Sequence, residues 1–244
     1  MSELSALRRV GHKGADHIAP GNTAASFDAA LAHGVDMIEF DVLPEDIDDR
    51  EGSRLLLSHD YDHDLSRALT LDQGLAHLAS SPFTHVELDV DLKLPGYEAR
   101  VVEALRSHGL VERALVSSTF MRSLVALRAL EPRLRLGWSV PRARRDYTAS
   151  RLWMLPAYAM VARIRHRLPA AAREHLEAGR CDAVMAHWRL VSPALVEAVA
   201  GAGGELYVWT VDDARRIRAL EALGVTGVIT NDPRLFDAGA RQPA

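Results

Sequence analysis

A chain of 244 residues with 48% hydrophobic and 25% charged side chains and a mean hydropathy of −0.06 excludes a disordered tract, a collagen-like fibre and a small disulfide scaffold. The net charge of −4 supplies no bulk positive field for nucleic acid or an anionic membrane, and one cysteine, Cys181, cannot pair internally. The first residues form no apolar signal region, and the longest apolar run, 152–162 with Pro156 inside it, is far short of the ~20 residues of a spanning helix; the expectation is a cytoplasmic protein with no transmembrane segment and no nucleic-acid partner.

In chain order, a β-like run at 9–13 precedes helical periodicity over 23–33. β-like runs at 36–43 and 54–59 come next, then a helix over 70–80. The run 85–93 leads to a helix over 96–108, stopped at Ser107-His108-Gly109; 113–118 leads to 120–130. After the run 133–140 comes a long segment, 141–180, rich in arginine and holding Tyr147, Trp153, Met154, Tyr158 and Met160. It reads as two helices of an outer layer, with a cap over an apolar substrate tail as the alternative. The runs 181–187, 205–211 and 224–230 close the chain, with helices over 192–201 and 212–223 between them, the last stopped at Ala222-Leu223-Gly224.

Alternating β and α implies parallel strands joined by right-handed crossovers. Nine strand candidates are one too many for an eight-fold barrel. Only about ten acidic and polar residues separate the second from the third, fewer than a parallel crossover needs, so 54–59 reads as the return arm of a hairpin on the rim. The remaining eight predict an α/β fold, a (β/α)8 TIM barrel spanning 1–244 as one domain, with a rim hairpin after strand 2. A doubly wound sheet would place a Gly-rich phosphate turn after its first strand, and Gly11-His12-Lys13-Gly14 is not that turn.

Strand side chains alternate between faces. Glu39 and Asp41 therefore share one face of the second strand, and Glu87, Asp89, Asp91 and Lys93 share one face of the fourth run. Both faces of a barrel strand are covered, so these charges point inward, where carboxylates are costly unless paired or bound to metal. They predict a site for a hard divalent cation, Mg2+ or Ca2+; an internal ion-pair network with Lys93 is the alternative. His12 ends the first strand and His59 ends the rim hairpin. A metal, two histidines and a lysine together suit cleavage of a phosphate ester: the cations neutralise phosphoryl oxygens, one imidazole activates the nucleophile and the other protonates the leaving oxygen. The chain holds 27 arginines and two lysines, Lys13 and Lys93.

The motifs His12-Lys13-Gly14, Pro20-Gly21-Asn22-Thr23 with Phe27, Glu39-Phe40-Asp41, His59-Asp60, Asp91-Leu92-Lys93, Val116-Ser117-Ser118, Trp209-Thr210-Val211 and Gly227-Val228-Ile229-Thr230-Asn231-Asp232-Pro233 resemble, in order and spacing, those of the glycerophosphodiester phosphodiesterase family. The resemblance runs from about residue 9 to 233. It implies a phosphodiesterase-type barrel with its site at the C-terminal rim of the strands. It implies His12 and His59 as the acid–base pair, in either order, and Glu39, Asp41 and Asp91 as ligands of the divalent cation. Lys93 takes the phosphate side, with Lys13 also on phosphate, and Trp209 is a substrate wall at the mouth. The implied reaction is metal-dependent hydrolysis of glycerophosphodiesters, such as glycerophosphocholine or glycerophosphoethanolamine, to glycerol 3-phosphate and an alcohol. The nucleophile is water or the neighbouring glycerol hydroxyl. A lysophospholipase D-type activity on lysophospholipids and a catalytically silent barrel acting as a binding protein are the rivals.

This chain departs from the family pattern three times. Lys13 stands for arginine and keeps the charge without the bidentate grip. Gly21 stands for glutamate, while Asn22-Thr23 can still cap the first helix. Asp91 stands for glutamate, one methylene shorter, and could yield its place to Asp89. The carboxylates Glu45, Asp46, Asp48, Asp49 and Glu51 read as a solvated loop, and His17 and His63 as loop residues.

Overall fold

Burial on both faces is what a strand inside a covered parallel sheet demands, and β2 (Met37–Pro44) is buried along its whole length. This computed structural model describes residues 6–62, 64–141 and 154–237, with side chains in the last span from 161 onward. The strands are β1 (Arg8–Gly11), β2, β3 (Leu55–Leu57), β4 (Glu87–Leu92), β5 (Ala114–Ser118), β6 (Arg135–Val140), β7 (Ala183–His187), β8 (Glu205–Trp209) and β9 (Gly227–Thr230). The helices are α1 (Ala24–Ala32), α2 (Leu71–Leu78), α3 (Glu98–Ser107), α4 (Met121–Leu130), α5 (Met154–Glu177), α6 (Pro193–Gly201) and α7 (Ala214–Leu223). The sheet runs β1-β9-β8-β7-β6-β5-β4-β2, and β1 pairs with β2 to close an eight-stranded parallel barrel. β3 alone is antiparallel, set against β2 with Leu43 opposite Leu56, and so forms the expected rim hairpin.

The strand alternation sorts apolar side chains into two cores. Outward residues such as Ile38, Phe40, Val90, Val116, Val184 and Val208 pack under the helices. Inward residues Val10, Met37, Leu115, Met185, Tyr207 and Ile229 fill the waist of the barrel. Full burial of each such side chain stabilises the fold by about 1.5–3 kcal/mol. Helix starts follow local chemistry: Thr23, Thr70, Ser192 and Asp213 each accept an amide hydrogen of the first turn. Gly224 ends α7 at φ 87°, a left-handed conformation that glycine adopts without steric cost.

Segment 141–180 reads as two helices; residues 142–153 lie outside the described residues, and the described part holds one helix, α5, which continues through Pro169. Proline removes one amide donor; buried Leu168, Ala172 and Leu176 hold the helix against the barrel and α6 across that gap. Tyr147 and Trp153, on which the cap reading rests, lie outside the described residues, as does His63. One expectation is amended: the charged face of β4 is split along the barrel axis. Glu87 lies at the N-terminal end, paired with Arg8 and with Arg135 at 2.7 Å, while Arg135 reaches Glu205 at 2.5 Å. That end is closed by ion pairs, and the carboxylates of the candidate site are gathered at the other.

Candidate active site

Parallel register brings the charged positions of neighbouring strands to one level. Glu39 lies opposite Asp89, Asp41 opposite Asp91, and Asp91 opposite Ser117. Oxygens of Glu39, Asp41 and Asp91 all fall within 4.8 Å of one another. Lys93 joins them: its ammonium pairs with Asp41 and lies 2.5 Å from Asp91 Oδ2. Both sequence readings, cation site and lysine network, thus describe the same atoms.

Glu39, Asp41 and Asp89 are 5%, 0% and 1% exposed, which makes their charge expensive. Burial, with Asp41 beside it, pushes the Glu39 carboxyl well above the ordinary range. Burial would push Asp41 the same way, but Lys93 and the two histidines outweigh it and hold that carboxyl low. Asp89 is raised to about 8 by burial and by Asp91. Its Oδ1 has no hydrogen-bond partner among the described residues. Four carboxyl groups face one lysine, the raised Glu39 and Asp89 show how poorly a further negative charge is compensated there, and the donors are all hard oxygens, so the residues present fit a divalent cation of the Mg2+ or Ca2+ kind.

The loop after β1 is folded around this cluster. Lys13 and Gly14 take left-handed backbone, φ 50° and 84°. That turn aims the Lys13 amide at Glu39 Oε2, 2.8 Å away, and the Gly14 amide at the Glu39 carbonyl, 3.2 Å away. It also carries the Lys13 ammonium to Asp16, 3.7 Å away. At Gly21 a Cβ would lie 2.6 Å from Asp16 Oδ1, and the Gly21 amide donates to that same oxygen at 2.8 Å. Asp16 thus occupies the space that a side chain at position 21 would need. Asn22 donates to Asp41 Oδ2 at 2.9 Å and accepts from the Asp41 amide at 3.1 Å, a clamp that the capping reading of Asn22-Thr23 overlooked.

The imidazole of His12 is buried, which lowers its pKa below the usual value. Its Nε2 lies 3.8 Å from Glu39 Oε2, and its Nδ1 lies 2.5 Å from Asn231 Oδ1. His59 is half-exposed, with Nδ1 3.0 Å from Asp60 Oδ2. His12, Glu39, His59, Asp91, Lys93 and Trp209 line one cavity of about 540 Å³. Asp41 lies behind that lining, and Lys13 is not part of it. Trp209 is held by a 2.8 Å bond from Nε1 to the Met185 carbonyl and by edge contact with His187. One wall is apolar, from Leu43, Ile47, Tyr61, Leu94, Phe120 and Pro141. The sequence reading gave no role to Ser117, whose Oγ lies 3.4 Å from Asp91 Oδ1, or to Asn231 behind His12. Neither has an informative local pattern, although both fall within the quoted motifs.

A family model, the glycerophosphoryl diester phosphodiesterase family, matches residues 12–44 and 63–235. A glycerophosphodiester phosphodiesterase of Caldanaerobacter subterraneus is 24% identical over 92% of this chain and 93% of its own length. A crystal structure of a glycerophosphodiester phosphodiesterase from Agrobacterium tumefaciens superposes with a TM-score of 0.69 at 22% identity, covering 95% of this chain and 99% of that one. A phosphodiesterase from Oleispira antarctica, solved with the product sn-glycerol 3-phosphate, superposes at 0.70 and 20% identity over 96% and 97%. The structural likenesses establish a shared fold.

Proposed function

The chain belongs to the glycerophosphoryl diester phosphodiesterase family and is a phosphoric diester hydrolase, and on that premise we propose how its residues divide the reaction. The substrate is a glycerophosphodiester and the products are glycerol 3-phosphate and an alcohol. Residues 1–244 act as one barrel domain. The single observation that carries this reading is the convergence of Glu39, Asp41 and Asp91 within 4.8 Å, beside His12 and on the cavity that His59 also lines.

Glu39, Asp41 and Asp91 would hold the divalent cation. When bound, it withdraws charge from a non-bridging phosphoryl oxygen. Lys93 faces the same phosphate and keeps Asp41 ionised. Lys13 acts through its main-chain amide, which orients Glu39. His12, kept neutral by burial, accepts the proton of the attacking hydroxyl at Nε2. The new P–O bond forms as the bond to the leaving alcohol breaks, and His59 delivers a proton to that leaving oxygen. Trp209 walls the glycerol side. Attack by water gives glycerol 3-phosphate directly; attack by the neighbouring hydroxyl passes through a cyclic phosphate that water opens. Oxygen-18 incorporation with a search for the cyclic product separates the two routes.

The test is release of glycerol 3-phosphate from a panel of diesters with Mg2+, with Ca2+ and with chelator. His12→Ala and His59→Ala lower kcat by at least ~100-fold with unchanged circular dichroism, and chelator abolishes turnover. Full turnover in either variant removes the acid–base assignment. The apolar wall, where Ile47 is 44% and Tyr61 37% exposed, favours a second reading, lysophospholipid hydrolysis. Activity that rises with acyl chain length supports it; equal or lower activity eliminates it.

A further inference from the structure

Behind His12 stands a chain of hydrogen bonds whose polarity admits one solution. The Asp212 carboxylate follows β8 and immediately precedes Asp213, the N-cap of α7. Its Oδ1 lies 2.9 Å from the Asn231 amide nitrogen and 3.0 Å from Thr230 Oγ1, and its Oδ2 lies 2.7 Å from Asn231 Nδ2. A carboxylate only accepts, so the NH2 end of the Asn231 side chain must face Asp212. The Asn231 oxygen must then face His12, where it lies 2.5 Å from Nδ1. That oxygen also only accepts, so Nδ1 carries the imidazole proton. A neutral imidazole has one such proton. Nε2, on the Glu39 side at 3.8 Å, is therefore left as a lone pair. The strands hold the parts in register: the His12 amide bonds the Thr230 carbonyl at 2.8 Å, and the Val211 amide bonds the Ile229 carbonyl at 3.0 Å.

We propose that Asn231, oriented by Asp212, is a positioning residue that holds His12 in the Nδ1-protonated tautomer with Nε2 free to receive a proton. The proposal rests on the reading of His12 as the proton acceptor. Asp212 is required because an amide is nearly symmetric in shape. Turned over, Asn231 would offer its NH2 to His12, move the proton to Nε2 and remove the base.

The polarity of the chain can be inverted and then restored without changing its shape. Asp212→Asn keeps an oxygen for the Asn231 amide and Thr230 but puts an NH2 where Oδ2 was. Asn231 then turns over to accept from it and donates to His12. In the Asp212→Asn, Asn231→Asp double variant the carboxylate has moved one place along. It accepts from both the new amide and His12 Nδ1, so the original tautomer returns.

The measurement is 15N NMR of histidine-labelled full-length protein in chelator, at a pH where His12 is neutral, with its resonances assigned by comparison with His12→Ala. Asp212→Asn is expected to shift the proton to Nε2 and to lower kcat in the cation-supplemented assay by about 10- to 100-fold with KM within threefold. The double variant is expected to regain the wild-type tautomer and at least tenfold in kcat over Asp212→Asn. A wild-type tautomer in Asp212→Asn, or a double variant no better than the single one, overturns the proposal. Turnover of His12→Ala tests the underlying reading separately, because the tautomer shift is read without turnover.

Discussion

Asp89 bears the cost of collecting carboxylates at one rim. Its neighbours Asp41 and Asp91 share Lys93, whereas its own Oδ1 is left without a partner among the described residues. An aspartate in an unfolded chain titrates near 3.9, and here burial and Asp91 raise it to about 8. The folded protein therefore holds this proton more tightly than the unfolded one. The resulting stabilisation is whole below about pH 4 and is lost as pH rises to about 8. Asp89→Asn keeps the shape and removes the titration, so in chelator its stability relative to wild type is expected to increase steadily between pH 5 and pH 8. Denaturant midpoints of both proteins across that range check it, and a flat difference rejects it. At the same scale, the departures at Lys13 and Gly21 are linked. Asp16 fills the space at Gly21 and takes the Lys13 ammonium, so two positions that look independent along the chain form one contact.

At the scale of elements, α1 and the turn that precedes it act together. Thr23 caps α1, and in return Ser26 Oγ lies 3.2 Å from the Thr23 amide and 2.7 Å from the Lys13 carbonyl, which ties the helix to the loop that bears His12. Thr23→Ala is expected to cost about 1 kcal/mol in urea unfolding, and a loss under a few tenths would show that the cap contributes little. This helix start was legible because Asn-Thr before an apolar periodic run is local chemistry. The rim hairpin was legible for a similar reason: its connection is too short for a parallel crossover. The course of α5 through Pro169 was less legible, because its continuity rests on the packing of Leu168, Ala172 and Leu176 against elements distant in the chain.

Over the whole molecule, the barrel interior has three levels. Arg8, Glu87, Arg135 and Glu205 close the N-terminal end, apolar side chains fill the waist, and carboxylates, Lys93 and the two histidines occupy the C-terminal rim. On the proposed reading, stability and chemistry are therefore placed at opposite ends, as barrel enzymes generally place them. Arg135→Met leaves Glu87 and Glu205 with one cation fewer. It is expected to cost about 2 kcal/mol while kcat/KM of the folded protein stays within threefold. A variant that keeps full stability, or one that loses catalysis without losing stability, would contradict this division of labour.

The amino-acid order alone determined the alternation of strands and helices, the inward faces of β2 and β4, and the motifs from His12 to Pro233. Periodicity and turn chemistry act between near neighbours, so no partner strand is needed to read them. Tertiary structure decided which inward charges meet. Glu87 and Asp91 are four residues apart on one face of β4, yet one closes the barrel with arginines and the other joins Glu39 and Asp41. It also decided that Asn231 stands behind His12 and Asp212 behind Asn231. Those contacts depend on the register between strands distant in the chain, which is set by the closure of the whole barrel and by no local rule.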